Sequence, residues 1–395
     1  MRFEIAAILM LLSCGCADTR FAAASEPLCV SDPSAMPESW RPSPSLKNVL
    51  NTSPWSANEG NDAVRAATKG LDELIGFFST HPAEVAMLDD NAVESLVDAS
   101  YAASDMSFRQ KARTGAREIL LRLIAPYLDR TTEGRGCRQF YTLLSHTIYA
   151  HALLEPDDPR IARMAAQTNA AYAACGSFDM AIGGNYRRIL ANPGASADDV
   201  WDLMVWSIAF MDAQTVPGLV VPAAARELTV SVWHYLADYP LASARSYPDG
   251  ATNRKFYDTA YLATHIAYIP SGYGRYAIYI RDAPRVYQFL RENFYAVLQI
   301  GELDLTAEFT DLFREYGCTE QTDLQLRDGT RYLLKLFHSA GDSWMAYREP
   351  YEHTDPDSYD LIHKAWTGLS GVRPRAAESP APGTYGAVVH AWLKH

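Results

Sequence analysis

Dense lysine or arginine runs are missing from this chain of 395 residues, in which 47 Asp and Glu outnumber 35 Lys and Arg for a formal charge of -12. Sequence-independent attraction to nucleic acid needs a basic stripe, so the composition argues against a nucleic-acid partner. No Gly-x-Ser-x-Gly elbow, Walker A loop or His-Glu-x-x-His occurs, which removes the common serine hydrolase, nucleotide and zincin signatures. No Cys-x-x-Cys pair occurs among the six cysteines, and after residue 16 no apolar run is long enough to span a bilayer. Strand-like alternation is scarce as well. Helical periodicity dominates instead.

The opening MRFEIAAILMLLSCGC joins an early Arg to an apolar run of export-signal length, Ile5 to Leu12. Leu11-Leu12-Ser13-Cys14 resembles a bacterial lipobox, which implies lipidation of Cys14 and a location in the bacterial cell envelope, with the lipid as the membrane partner. Three segments follow from this: a signal peptide with lipobox over 1–16, a Pro/Ser-rich tether over 17–56, and a single helical domain over 57–395. An oxidising compartment would allow up to two disulfides among Cys29, Cys137, Cys175 and Cys318, with three pairings open.

Beyond the tether, apolar stripes at helical spacing predict a dozen or more helices joined by short turns. Ser196 reads as an N-cap, with Asp198 and Asp199 in the first turn, and Val200, Leu203, Met204, Ser207, Ile208 and Met211 line one predicted face. Ala83 to Ala102 reads as one helix. The fold expectation is all-α, either an α/α toroid of helix pairs or an open α-solenoid. Three His-x-x-aromatic units fall on separate helices: His146 with Tyr149, His265 with Tyr268, and His363 with Trp366. Residues three apart share a helix face, so in each unit the imidazole and the ring point the same way. In a toroid these units would converge on a central cavity; in a solenoid they would stay apart.

The segment GTRYLLKLFHSAGDSW, Gly329 to Trp344, resembles the repeat of terpenoid cyclases and protein prenyltransferases, in which a helix runs into a Gly-x-Trp turn. YDLIHKAWTGL, Tyr359 to Leu369, is similar to segments of bacterial toroid-type proteins. The resemblance implies the α/α toroid. It does not carry over either activity, because the Asp-x-Asp-Asp proton donor and the Asp, Cys and His zinc set have no counterparts here.

His146, His265 and His363 are the candidate ligands of a divalent transition metal, since three imidazoles would leave a position open for water or substrate. The second chemistry is acid-base catalysis by His265 with Tyr268, Tyr273, Tyr276 and Glu308, in which a phenol or carboxyl gives a proton and the imidazole takes one. Tyr149, Trp206, Trp344 and Trp366 are the candidate faces for a small or extended substrate. Asp304 reads as the N-cap of a helix from Leu305, and Glu308 and Asp311 as charges on one face of it. The functional expectations are a metal-assisted or His/Tyr acid-base enzyme, a non-enzymatic periplasmic binding or assembly scaffold, or a glycan-processing toroid.

Overall fold

Most helix starts in this chain are written in cap chemistry. Ser56 accepts from the backbone of Glu59 while Glu59 reaches back, and Ser196 with Asp199 repeats the arrangement. Prolines occupy the first turns of the helices that begin at Pro82, Pro159 and Pro284, where no donor is lost. A computed structural model describes residues 29–375 apart from 48–49, 129–135, 272–273, 275–277, 281–282, 350–351 and 353. The expected signal peptide with Cys14, the candidate tyrosines Tyr273 and Tyr276, and residues after 375 therefore lie outside the described residues.

The described residues form α1 (Pro44–Lys47), α2 (Ala57–Thr80), α3 (Pro82–Leu88), α4 (Asp90–Ala102), α5 (Met106–Leu128), α6 (Phe140–Leu153), α7 (Pro159–Ala173) and α8 (Phe178–Ala181). They continue with α9 (Tyr186–Leu190), α10 (Ala197–Ala213), α11 (Ala223–Ala237), α12 (Arg254–Ser271), α13 (Pro284–Ile300), α14 (Leu303–Glu315), α15 (Leu324–Ser339) and α16 (Ser358–Val372). Among the described residues the only β pairing is a single bridge between Ala103 and Arg375. The fold is all-α.

Consecutive long helices pair as hairpins: α4 with α5, α6 with α7, α10 with α11, α12 with α13, and α14 with α15. The sixth pair joins the two ends of the helical region, because α16 packs along α2. One member of each pair also touches the next: α4 meets α6, α6 meets α10, α10 meets α12, α12 meets α14, α14 meets α16, and α16 returns to α4. These adjacencies close a ring. Leu and Ala from both members of each pair, such as Leu96 with Ile119 and Leu120 of α4 and α5, fill the space between the inner and outer helices.

Small residues make the α2–α16 seam close. A Cβ on Gly70 would lie 2.9 Å from Leu369 Cβ, and one on Gly368 would lie 2.5 Å from the Trp344 ring. Trp344 is wedged there, fully buried, with its Nε1 donating to the Ala66 carbonyl at 2.9 Å. Gly368→Ala is expected to cost about 1–3 kcal/mol in urea unfolding through overpacking. Gly76→Ala on the open side of α2, with nothing within 4 Å, should be neutral or stabilising by about 0.5–1 kcal/mol. Equal effects of the two substitutions would contradict the tight seam.

Two expectations need correction. The stretch read as one helix over Ala83 to Ala102 breaks at Asp89, whose φ of 52° ends α3 and starts α4. The reason is tertiary: Asp89 is held by α6, with Oδ1 2.7 Å from His146 Nε2 and Oδ2 accepting from Thr142 at 3.0 Å. The tether is docked from Cys29 onward. A Cys29–Cys318 disulfide ties it down, Met36 is buried, and Arg327 and Arg331 of α15 donate to the carbonyls of Asn51, Ser53 and Pro54. Pro/Ser-rich chain offers little apolar surface, but its free carbonyls suit a row of guanidinium donors. The second disulfide joins Cys137 to Cys175 beside the α6–α7 hairpin.

Candidate functional site

Each inner helix turns one line of side chains toward the ring axis, and helical spacing decides which. Val200, Leu203, Met204, Ser207 and Met211 of α10 are buried as expected, but Ile208, expected on that face, lies with Trp201, Val205 and Asp212, spaced by three or four, on the face turned into a central cavity of about 700 Å³. The same logic presents Asp90, Glu94 and Asp98 from α4, Tyr141, Ser145 and Tyr149 from α6, and Tyr261, His265 and Tyr268 from α12. Glu308 and Asp311 come from α14, and Tyr359, His363, Trp366 and Ser370 from α16. That volume is ordinary for a small-molecule site.

His265 is the best-defined group in it. Its Nδ1 lies 3.0 Å from the Tyr261 carbonyl, so Nδ1 carries the proton and donates there, and Nε2 is the basic nitrogen. Nε2 is 3.9 Å from Glu308 Oε1. Burial pushes the imidazole down to about 4, with the nearby His363 acting in the same direction and the Tyr261 carbonyl opposing. Glu308 is 8% exposed and its other oxygen accepts from Thr264 at 2.6 Å. Burial, then the charge of Asp304, raises this carboxyl well above the usual range. The two groups are thus shifted in opposite directions, each toward its uncharged form. The Trp201 ring lies over the imidazole with centroids 4.1 Å apart.

The α4 carboxyls are shifted the same way. Burial, reinforced by Asp90, pushes Glu94 up to about 8. Asp98 is raised by burial and then by Glu94. At the floor of the cavity Arg373 donates to the Asp98 backbone carbonyl at 3.1 Å and lies 3.4 Å from Asp311, while Arg375 bridges Asp311 and Glu315.

Of the sequence candidates, His265, Tyr268, Glu308, Tyr149, Trp206, Trp366 and His363 all line this cavity. Tyr268 uses its hydroxyl on the Glu308 main-chain carbonyl, at 3.1 Å, and so pins α12 to α14. Trp344 does not join the cavity; it is the wedge of the α2–α16 seam. His146 is also elsewhere, buried against Asp89 at the α3–α4 break.

The three imidazoles therefore do not assemble as one ligand set. His363 is 3.8 Å from Asp304 and stacks on Tyr359, and His265 faces Glu308. Among the described residues, the one His/Cys/Asp/Glu trio with ligand atoms within 4.8 Å is Cys29, Cys318 and Asp323. Its sulfurs form a disulfide and its carboxylate is bound to Arg291, so it does not fit a metal. Asp304 is not an N-cap either. The helix starts after Glu302, and Asp304 instead accepts the Tyr261 hydroxyl.

Sequence reasoning missed Asp90, Glu94, Asp98 and Trp201. The acids recur every four residues, a stripe that was visible but that ordinarily marks a solvated helix face. Trp201 is the fifth residue of α10, opposite its apolar stripe. The fold and site thus define an all-α protein with an acidic, aromatic-walled cavity at the centre of a helical ring. The chain matches no family model, no curated protein and no solved structure.

Proposed function

We propose that the chain is an α/α-toroid enzyme that processes a glycan by acid-base chemistry in the central cavity. The observation that carries the reading is the approach of His265 Nε2 to within 3.9 Å of Glu308 Oε1 beside Trp201, with burial favouring the uncharged form of both groups. Glycosidic bond cleavage needs a proton for the leaving oxygen and a group that takes one from the attacking water. In this reading Glu308 gives the first proton and His265 Nε2 takes the second. Trp201, Trp206 and Trp366 offer the flat apolar faces on which sugar rings stack. No step is routed through a metal, since the imidazoles do not gather around one point.

A scaffold would present an exposed apolar patch. Among the described residues the large exposed apolar side chains, such as Met87, Met106, Met180 and Val220, belong to different elements, whereas Tyr141, Trp201, Trp206 and Trp366 line the cavity. Export with lipid attachment at Cys14 is part of the same proposal; two disulfides suit an oxidising compartment. No described helix is long and apolar enough to cross a membrane.

The test is a panel of soluble oligosaccharides scored for new reducing ends and, separately, for binding. Cleavage of one class, with His265→Ala lowering kcat by about 10²–10⁴, is the expected result. Binding without cleavage would make the chain a glycan receptor, and failure to bind any saccharide would end the reading.

A further inference from the structure

The lining of the cavity is unbalanced in charge. Carboxyls enter it from three helices, with Asp90, Glu94 and Asp98 on α4, Asp202 and Asp212 on α10, and Glu308 and Asp311 on α14. Arg373 is the basic side chain of the lining, and it is 2% exposed and directed at Asp311 and the Asp98 backbone. Among the described residues this is the one guanidinium of the lining; its Nε has no hydrogen-bond partner, and it stands against seven carboxyls.

Asp98 supplies a second, separate observation. The residue is 6% exposed and lines the cavity, yet its Oδ2 has no hydrogen-bond partner among the described residues. A buried carboxyl oxygen left unpaired is costly, and a donor brought by the ligand would satisfy it. The acidic lining also continues outward. A second cavity of about 520 Å³ between the starts of α10 and α12 shares Trp201, Asp202 and Tyr261 with the first and adds Asp198 and Asp258. Its one Arg, Arg254, is held by Asp258 at 2.7 Å.

We propose that the saccharide taken by this cavity carries protonated amines, as a glucosamine oligomer does. The inference rests on the glycan reading and narrows it. An ammonium brings three donors and a positive charge, which suits carboxyl oxygens, and it is also attracted to the faces of Trp and Tyr. Neutral sugars would bring no cation to these carboxyls, and uronate chains would add further carboxyls to a lining that already holds seven.

Isothermal titration calorimetry on the full chain tests this with four probes: the glucosamine trimer, the N-acetylglucosamine trimer, trigalacturonate and spermidine. The glucosamine trimer is expected to bind at least about tenfold more tightly than its N-acetyl counterpart, with the advantage shrinking as NaCl is raised. Asp98→Asn and Glu94→Gln should each reduce that advantage while circular dichroism stays unchanged, and the salt dependence of the wild type reads the same property without any substitution. Equal binding of the two trimers, or tighter binding of trigalacturonate, overturns the amine inference and leaves the glycan reading standing. Binding of spermidine with no saccharide bound overturns the glycan reading, and this inference with it.

Discussion

Glu308→Gln is expected to lower kcat on the cleaved saccharide by about 10²–10⁴ with little change in KM. Gln keeps the shape and can still meet Thr264, but it cannot give a proton to a leaving oxygen. The pH profile separates this from a binding defect. In the proposed chemistry Glu308 acts only while protonated, and its carboxyl is raised by burial and by Asp304, so the alkaline limb of wild-type activity should lie above the range of an ordinary carboxyl. His265 works as a base only while neutral, which places the acid limb near its lowered value of about 4. In Glu308→Gln the alkaline limb should vanish from the residual rate. An unchanged rate and an unchanged profile would remove Glu308 from the chemistry.

Asp323→Ala is expected to destabilise the fold by about 3–5 kcal/mol, because it leaves a buried guanidinium without its counter-charge. Arg291 and Asp323 are both fully buried and meet at 2.6 Å. Asp323 also caps α15 through Leu326 and accepts from Val30, so one carboxylate joins α13, α15 and the N-terminal segment. Replacing both partners with apolar residues, Arg291→Met with Asp323→Leu, should recover much of the loss, since desolvation of the pair is then removed as well. Urea denaturation of the three variants measures it. A single-mutant loss below about 1 kcal/mol would contradict the role assigned to the pair.

Helix existence was legible wherever caps and periodicity agreed. The bounds of α13 carry such signals at both ends, Pro284 in its first turn and Gly301, in a left-handed conformation, after its last. The α3–α4 break was not legible, because what bends the chain at Asp89 is a histidine 57 positions later that no local pattern reveals. His265 and Glu308 could be named from sequence, since each lies on a recognisable helix face; their approach could not, because it depends on how α12 packs on α14. Trp344 was misread for a related reason. A Trp after a glycine turn looks the same whether it faces a cavity or fills a seam. The α4 acids show the limit most plainly. Charges at every fourth position signal water in nearly any helix, and only ring closure turns that water into an enclosed site.

The pairing of α16 with α2 also sets a timetable. The ribosome finishes α2 about 280 residues before it reaches the start of α16, an interval of tens of seconds at roughly 5–20 residues per second. Until then the glycine-lined side of α2 has no mate, and Cys29 waits as long for Cys318, 289 positions away. Partial chains must therefore be kept apart by something other than their own final contacts. The ring cannot close before α16 is made, so the cavity is among the last features of the described residues to form.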